Sequence, residues 1–488
     1  MASLEEIRAT RLAKLNALKA RGLNPYPTSV ARDHELAEIS DIFASYVEKG
    51  TSLSLVGRVM SLRPHGGLLF FTFNDGTGSF QGLLKRDEMD APVFDLFSET
   101  VDVGDFIEVT GTLFLTKRNE KTLKVASWKM LAKALRQLPE KWHGLQDVEE
   151  RFRRRYLDTL MSPEVKDRFI LRSRIVSTLR KLLDKEGFLE VETPMLQSLA
   201  GGASAEPFKT HHNALDIDLY LRIAPELYLK KLMVGGFPKV YEIGRDFRNE
   251  GIDTTHNPEF TMAEWYESYS NASAQQKFVE KTLKLLVKAV AGSSKVIFDG
   301  NEIDFSKRFS VISYFDLLKR YALVPNPETV TFTELKLKAE QMGVRAEEGD
   351  TVEKLMDSVY KKVCRPKLIQ PTFIVDYPVN YLPLAKRREN DPALVDAFQL
   401  IVGGLELVKA FSELNDPLDQ RERFLEQDKN RAAGDKEAQQ SDEEFLEALE
   451  YGMPPAGGVG IGIDRLAMLL GNTKNIREVI LFPTLRPR

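Results

Sequence analysis

A charged loop between two strand-like segments, at residues 241–264, constrains the fold of this chain most strongly. The first segment ends at Arg248, and the second opens at Pro258 and continues into Phe260. The planar guanidinium of Arg248 can bind a phosphate or a carboxylate, and the flat face of Phe260 can stack on a nucleobase. The sequence therefore predicts a hairpin that either contacts a nucleotide or lies solvated on the surface.

A glycine-rich strand near the C-terminus is the second unusual feature. Gly458, Gly460 and Gly462 alternate with apolar residues, so one face of the strand carries no side chains. Glycine weakens a strand unless something must approach the backbone closely, and a nucleotide on the bare face would be such a ligand. The period then becomes helical, with Arg465 in the first turn, where a cation is unfavourable unless it meets an anionic ligand. A tightly packed strand–helix corner is the alternative interpretation.

These segments resemble a known enzyme family. FRNEG, HNPEFTMAEWY and GIGIDR resemble motifs 2 and 3 of class II aminoacyl-tRNA synthetases, and residues 168–197 resemble motif 1. APELYLKKLMVGGF, FSELNDP and KWHGLQDVEERFRRRYLD narrow the resemblance to the bacterial-type, subclass IIb lysyl-tRNA synthetases. The match runs from about residue 4 to the C-terminus in family order. It implies ATP-dependent ligation of L-lysine to tRNA(Lys) through a lysyl-adenylate, with release of AMP and pyrophosphate.

Composition agrees with a protein of the cytoplasm. The single cysteine, Cys364, excludes an internal disulfide framework and suits a reducing compartment. No apolar run reaches membrane-spanning length, so we expect no membrane association. The net charge of −4 argues mildly against a nucleic-acid partner, but binding depends on where the charges lie, and basic residues gather in the first third of the chain.

The pattern of segments predicts an α+β fold: an N-terminal OB-fold β-barrel plus a class II synthetase antiparallel sheet flanked by helices. Residues 1–50 form a helical extension, and five short strands with a helix between the third and fourth predict the barrel at 51–135. A linker follows at 136–162. The catalytic domain spans 163–488, with a helical insertion at about 310–365, and contains no glycine-rich phosphate loop of the doubly wound kind.

The resemblance assigns the barrel to anticodon binding. Arg63, Phe70 and Gln81 fall where the family reads the central anticodon base, with Phe70 stacking and Gln81 hydrogen bonding. Phe70 can equally belong to the barrel core, because Phe71 and Phe73 surround it.

The resemblance also implies the ATP site. It gives catalytic roles to Arg248, which bridges the amino-acid carboxylate and the α-phosphate, and to Arg465, which covers the second face of adenine. Phe260 stacks on the first face. The implied ATP-binding set is Arg248, Glu250, His256, Phe260, Glu406, Gly460 and Arg465. A protein nucleophile is unnecessary because the substrates supply both attacking oxygens, so positioning and charge stabilisation suffice.

Specificity for lysine depends on carboxylates. A buried carboxylate needs a partner, and lysine brings two ammonium groups. The resemblance places Glu226 and Glu264 near the α-amino group, and Tyr266 and Glu413 at the ε-ammonium. We expect a pocket whose excess negative charge is neutralised only when lysine enters. The implied lysine-binding set is Gly202, Glu226, Arg248, Glu264, Tyr266, Lys409, Phe411 and Glu413.

Two positions depart from the family pattern. Gln399 stands where glutamate is usual, and Lys409 where asparagine is usual. The first normally binds Mg²⁺ on the ATP phosphates, together with the residue matching Glu406. Our hypothesis is that ATP brings its own Mg²⁺, while Lys409 replaces part of the protein-held metal or contacts the substrate carboxylate. Glu406 and Lys409 have opposite strand parity, so both face the site only through a bulge.

The implied partners are ATP, L-lysine, tRNA(Lys) and a second copy of the chain, paired through motif 1. Three alternatives remain. Aspartyl- or asparaginyl-tRNA synthetase shares the architecture but would need cationic residues facing the side chain of its amino-acid substrate. A truncated relative that lysylates a protein lacks the barrel. An inactive synthetase-like tRNA-binding protein would keep the barrel without the chemistry.

Overall fold

The computed structural model describes residues 3–139, 145–347, 350–435 and 438–487, which form two compact units, 1–144 and 145–488. Part of the predicted linker, residues 140–144, lies outside the described residues. Each helix in the described part of the chain is too short or too polar to cross a membrane.

The first unit is a closed five-stranded barrel, which confirms the predicted OB-fold. Its strands pair in the order β1-β2-β3-β5-β4, and helix α3 lies between β3 and β4 in sequence. The elements are α1 (Leu4–Ala20), α2 (Ile39–Lys49), β1 (Ser52–His65), β2 (Leu68–Asn74), β3 (Ser79–Lys85), α3 (Ala91–Thr100), β4 (Phe106–Leu115) and β5 (Lys121–Ala132).

The second unit contains an eight-stranded sheet. Six strands run antiparallel to their neighbours in the order β15-β16-β17-β18-β11-β10, and the edge strands β14 and β6 pair in parallel. The strands are β6 (Leu189–Glu190), β7 (Leu196–Gln197), β8 (Lys209–His212), β9 (Ile217–Leu221), β10 (Lys239–Phe247), β11 (Glu259–Ser268), β12 (Lys295–Phe298), β13 (Asn301–Asp304), β14 (Ser310–Ser313), β15 (Thr372–Val375), β16 (Ala397–Val402), β17 (Leu405–Ser412) and β18 (Ala456–Gly462). The predicted antiparallel sheet is therefore confirmed.

Helices cover one face of this sheet, and on the other face helices pack beside a cavity. Trp265 and Ala263 of β11 are fully buried against α6 and α8, whereas the alternate residues Glu264 and Tyr266 face a cavity. The helices are α4 (Val148–Arg153), α5 (Arg155–Met161), α6 (Pro163–Lys185), α7 (Glu226–Val234), α8 (Ala272–Ala291), α9 (Tyr314–Leu317), α10 (Phe332–Gln341), α11 (Val352–Val359), α12 (Pro417–Ala432), α13 (Glu443–Glu450) and α14 (Ile463–Leu470).

The predicted helical insertion starts later than expected. Residues 310–313 form the edge strand β14 of the main sheet, and the helices α9, α10 and α11 follow. These helices enclose a small core of their own that includes Tyr314 and Leu355. The sequence could not separate this strand from the insertion, because a four-residue edge strand gives too short a pattern to recognise. Residues 348–349 of the insertion lie outside the described residues.

Candidate active site

The cavity on this second face of the sheet has a volume of about 260 Å³. Its floor is made by β11, β17 and β18, and the loop between β10 and β11 covers one end. It brings together most of the residues that the sequence predicts for ATP and lysine. Those lining it are Gly202, Glu226, Arg248, Glu250, His256, Phe260, Glu264, Tyr266, Glu406, Lys409, Phe411, Gly460 and Arg465.

The glycine strand β18 is the bare centre of this floor. Gly458 lies between Tyr266 of β11 and Phe411 of β17. A Cβ atom there would lie 2.0 Å from Glu413 Oε1 and 2.5 Å from Tyr266 Cε1, closer than such atoms can pack. Glycine at 458 is therefore required by neighbouring protein side chains, and not only by a ligand.

Gly460 is different because its face is open. It lies between Glu264 of β11 and Lys409 of β17; the closest neighbour of a Cβ there would be the tip of Met262, at 3.3 Å, and the Glu264 Cγ and Lys409 carbonyl oxygen would lie at 3.8 Å, an ordinary contact distance. The protein itself therefore has room for a side chain at 460. A ligand that approaches the backbone closely is the remaining physical reason for glycine at this position.

Arg248 and Phe260 form one wall at the covered end. The Arg248 guanidinium carbon lies 5.0 Å from the centre of the Phe260 ring. One guanidinium nitrogen donates to the Ile223 carbonyl at 3.5 Å, and the buried Nε has no partner among the described residues. Arg248 therefore keeps hydrogen-bonding capacity directed into the site, as an anion-binding residue requires.

Arg465 also lines the cavity and is held by two hydrogen bonds. One nitrogen donates to the Glu406 carbonyl at 3.1 Å, and another donates to His256 Nε2 at 3.0 Å. His256 Nδ1 in turn lies 2.9 Å from Asp253 Oδ2. Although burial opposes it, hydrogen bonds from Thr255 and His256 lower the pKa of Asp253 to about 2. The ionised Asp253 thus orients His256 so that its acceptor nitrogen faces Arg465.

The helix that carries Arg465 is tied to β11 by Asp464. This buried carboxylate accepts the Thr261 backbone N–H at 2.6 Å and an Arg172 side-chain N–H at 2.8 Å. The strand β18 ends at Gly462, so Arg465 lies in the first turn of α14. The sequence predicted this placement, and the anchoring by Asp464 explains why it is rigid.

Carboxylates gather at the other end of the cavity. Tyr266 donates its hydroxyl to Glu264 Oε2 at 3.0 Å, as expected for residues two apart on one strand. Burial, reinforced by the charges of Asp246 and Glu226, raises the pKa of Glu264 well above its ordinary value. Gly202 has a positive φ of 88°, and a Cβ there would lie 3.0 Å from the Cβ of Glu226.

The contacts of Glu413 change the predicted net charge of the lysine pocket. It borders a neighbouring cleft and is absent from the lining of the main cavity. Lys230, whose side chain is fully buried, lies 2.5 Å from Glu413 and 2.6 Å from Glu226. The chain therefore supplies one ammonium itself, and the excess of negative charge in the pocket is smaller than the sequence predicts. The sequence signal was the i, i+4 spacing of Glu226 and Lys230 on α7.

Glu406 and Lys409 both face the cavity because β17 contains the expected bulge. Leu400 pairs with Val408 but Ile401 pairs with Glu406, so one residue of β17 is skipped. Although burial opposes it, the charges of Arg465 and Lys409 lower the pKa of Glu406. Lys409 makes no ion pair with any residue that the structure describes.

Gln399 does not reach the cavity. Its Oε1 accepts hydrogen bonds from Tyr377 at 2.9 Å and from Tyr360 at 3.4 Å. Within the described residues, no group of three or more histidine, cysteine, aspartate or glutamate side chains could hold a metal ion. One carboxylate, Glu406, is a poor fit for a protein-held Mg²⁺, which prefers several oxygen ligands.

The barrel carries a separate polar face. Arg63 pairs directly with Phe70 across β1 and β2, and its guanidinium donates to Gln81 Oε1 at 3.2 Å. Phe71 and Phe73 are fully buried, whereas Phe70 is half-buried on the opposite face. The core interpretation of Phe70 is therefore wrong.

Sequence reasoning missed two buried residues at the site. Lys230 is the buried partner of Glu226 and Glu413. Gln439 lines the cavity, and its buried Oε1 has no partner among the described residues. Gln439 lies in a segment between α12 and α13 without regular secondary structure, so no periodic pattern identifies it.

Comparison with known proteins identifies the class. Residues 147–486 match the family described as tRNA synthetases class II (D, K and N), and residues 53–131 match the OB-fold nucleic acid binding domain. The chain belongs to the class II tRNA synthetases of this D, K and N group.

Its curated relatives are more specific. The chain is 48% identical over 485 residues to a lysine--tRNA ligase of Carboxydothermus hydrogenoformans, covering 99% of each chain. It is 48% identical over 486 residues to a lysine--tRNA ligase of Roseiflexus sp. (strain RS-1), again covering 99% of each. A lysine--tRNA ligase of Pelotomaculum thermopropionicum is 47% identical, with 99% of this chain and 96% of that one covered.

Proposed function

We propose that this chain activates L-lysine with ATP and transfers it to tRNA(Lys). The observation that carries the proposal is the division of one cavity into two chemically different ends. Arginines and an aromatic ring stand around an open glycine strand at one end, and carboxylates with a tyrosine hydroxyl gather at the other. A nucleotide triphosphate suits the first end, and an amino acid with two ammonium groups suits the second.

ATP would lie on the bare face of β18. Phe260, Gly460 and Arg465 all line the cavity, and adenine would stack between the Phe260 ring and the Arg465 guanidinium, over Gly460. His256 holds Arg465 in place, and the exposed Glu250 completes the rim.

Lysine would lie across the carboxylate end. Glu226 and Glu264 accept hydrogen bonds from the α-amino group, and Tyr266 with Glu413 binds the ε-ammonium. Glu413 Oε1 is buried and lacks a hydrogen-bond partner among the described residues, so it has capacity for this ammonium. Phe411 and Gly202 line the space for the aliphatic chain. A neutral side chain would leave the Glu413 oxygen unsatisfied.

The chemistry needs no protein nucleophile. A carboxylate oxygen of lysine attacks the α-phosphorus of ATP, the bond to pyrophosphate breaks, and lysyl-adenylate forms. A ribose hydroxyl at the tRNA 3′ end then attacks the carbonyl carbon, and AMP leaves. Arg248, with its unused donors, holds the carboxylate against the α-phosphate, and Lys409 adds a second positive charge. Mg²⁺ would arrive bound to ATP, and Glu406 would be available as a protein carboxylate ligand in the cavity.

The barrel would bind the anticodon through Arg63, Phe70 and Gln81. The half-buried ring of Phe70 offers a stacking surface, and the hydrogen-bonded pair Arg63–Gln81 offers donors and acceptors for a base edge.

A homodimer through motif 1 is part of the proposal. Apolar residues of that motif, Leu189, Met195 and Leu196, are about half exposed, at 50%, 45% and 47%. A cluster of this kind is typical of an interface. Sedimentation of the full chain should give twice the 55.3 kDa chain mass. The cytoplasm, where tRNA and ATP are abundant, is the proposed location.

ATP–pyrophosphate exchange with each of the twenty amino acids tests the proposal. We expect exchange with lysine alone. In a separate assay we expect charging of tRNA(Lys) with lysine. Arg248→Lys should abolish most exchange, because one ammonium cannot replace the planar fork, while the surface variant Arg245→Lys should retain it. Exchange with aspartate or asparagine would favour the related synthetases, and no exchange would favour an inactive tRNA-binding protein.

A further inference from the structure

Lys230 is an unusual residue because its charged side chain is completely buried beside the proposed lysine site. Its Nζ lies 2.6 Å from Glu226 Oε1 and 2.5 Å from Glu413 Oε2. The rings of Phe411 and Phe445 lie 5.4 Å and 6.0 Å from the same atom. Burying an ammonium is costly, and only its two carboxylate partners make the placement tolerable.

One ammonium between two carboxylates leaves one negative charge uncompensated. The charges of Glu226 and Glu413 outweigh the effect of burial and raise the pKa of Lys230, so Lys230 stays protonated. Burial, together with the charge of Glu226, raises the pKa of Glu413 to about 8, although Lys230 opposes this. Near neutral pH Glu413 therefore keeps a proton for much of the time, and a further ammonium would bind to the triad with release of that proton.

The position of Lys230 also links the two ends of the proposed substrate. Glu226 comes from helix α7 and Glu413 follows strand β17, and no other cation described in the structure contacts both. The Oε1 atom of Glu413 already occupies the space that a side chain at position 458 would take, 2.0 Å from the place of its Cβ. The ammonium of Lys230 is thus a direct link between the two carboxylates.

We propose that Lys230 is a positioning residue that fixes the distance between the α-amino and ε-ammonium sites and so selects lysine by chain length. This inference rests on the proposed function. A diamino acid shorter by one methylene, ornithine, would reach only one carboxylate in good geometry. Its second ammonium would remain partly unpaired in a buried site, which is strongly unfavourable.

The test compares ATP–pyrophosphate exchange with lysine and with ornithine in Lys230→Met and Lys230→Arg. Lys230→Met removes the charge at similar length, and we expect the KM for lysine to rise about 100-fold while the KM for ATP changes less than about twofold. The preference for lysine over ornithine, as a ratio of kcat/KM, should fall about tenfold or more. Lys230→Arg keeps the charge and should recover part of the lysine KM.

Lys231→Met is the matched control. Lys231 lies on the same helix and is partly exposed; its ammonium makes a long 3.5 Å ion pair with Glu444 and lies 5.2 Å from the centre of the Tyr228 ring. Its variant should behave as the unmodified chain. If circular dichroism shows that Lys230→Met does not fold, Lys230→Arg provides the test. Its ratio of kcat/KM for lysine over ornithine should still fall, because the guanidinium is wider than an ammonium.

The results separate the two proposals. An unchanged lysine-to-ornithine ratio in the folded variants, or an equal rise in both KM values, would overturn the role of Lys230 alone. Failure of the unmodified chain to exchange with lysine would overturn the proposed function and this inference with it.

Discussion

The contrast between Gly458 and Gly460 gives a prediction that separates the two ends of the cavity. In Gly458→Ala the new methyl group would lie 2.0 Å from Glu413 Oε1 and 2.5 Å from Tyr266 Cε1. Contact carbons need more than 3.0 Å, so these side chains must shift by about 1 Å, and overpacking of this kind costs about 1–3 kcal/mol. The shift also disturbs the ion pair of Glu413 with Lys230.

Gly460→Ala is the matched variant. The closest neighbour of its methyl group would be Met262 Cε, at 3.3 Å, and this flexible side-chain end can move by a few tenths of an ångström. We expect a folding cost below about 1 kcal/mol. The methyl group nevertheless stands on the surface proposed for ATP. A loss of about 1.4 kcal/mol there corresponds to a tenfold rise in the KM for ATP.

Thermal unfolding and ATP–pyrophosphate exchange measure both effects. Gly458→Ala should lower the unfolding midpoint and raise the KM for lysine more than that for ATP. Gly460→Ala should keep the midpoint within a few degrees and raise the KM for ATP more than that for lysine. The reasoning is refuted if Gly458→Ala leaves both the midpoint and the lysine KM unchanged, or if Gly460→Ala affects lysine rather than ATP.

Three further predictions concern pH and the barrel. Burial raises the pKa of Glu413 to about 8, and an ammonium binds the ionised carboxylate more strongly than the protonated one. Lysine should therefore bind more tightly as pH rises from about 6 to about 9, with proton release measurable by calorimetry. An affinity for lysine that does not change with pH would contradict this. Burial raises the pKa of Asp246 to about 7, so its stabilising contribution, complete below about pH 4, should be lost as pH rises through 7, and Asp246→Asn should flatten the profile of unfolding midpoint against pH. Phe70→Ala should weaken tRNA binding by about 1–3 kcal/mol without changing ATP–pyrophosphate exchange. Phe71→Ala should instead lower the free energy of unfolding of the barrel by about 3–5 kcal/mol. If both variants weakened tRNA binding equally and neither changed the stability of the barrel, the assignment of the two faces would be refuted.

Local patterns in the sequence predicted the elements that carry the site. The alternation of Gly458, Gly460 and Gly462 and the later helical period gave β18, α14 and the place of Arg465, because each depends only on neighbouring residues. The opposite parity of Glu406 and Lys409 gave the bulge in β17, since no regular strand can direct both into one cavity.

Contacts between distant elements were harder to predict. Phe70, Phe71 and Phe73 give no unique parity, so only the pairing of β1 with β2 decides which rings enter the barrel core. The i, i+4 spacing of Glu226 and Lys230 predicts a pair on one helix, but it does not show that this pair meets Glu413 beyond β17. Counting carboxylates without the Lys230 contact overestimated the negative charge of the pocket.

The two departures from the family pattern prove to be neighbours. Gln399 and Lys409 pair directly across β16 and β17. Residues opposed in this way have Cβ atoms about 4.5–5.5 Å apart, so a glutamate at 399 would be close enough to pair with the ammonium at 409. The neutral amide, already bonded to Tyr377, leaves Lys409 free to act on an anionic substrate.

A double-mutant cycle tests this pairing. Gln399→Glu should lower kcat by about 10–100-fold because the new carboxylate captures the Lys409 ammonium, and Lys409→Asn should lower it similarly by removing the charge. The double variant Gln399→Glu/Lys409→Asn should recover activity beyond the product of the single effects, since the carboxylate then has no lysine to capture. Additive losses in ATP–pyrophosphate exchange would show that residues 399 and 409 do not interact, and a Lys409→Asn variant as active as the unmodified chain would show that the ammonium at 409 has no role in the reaction.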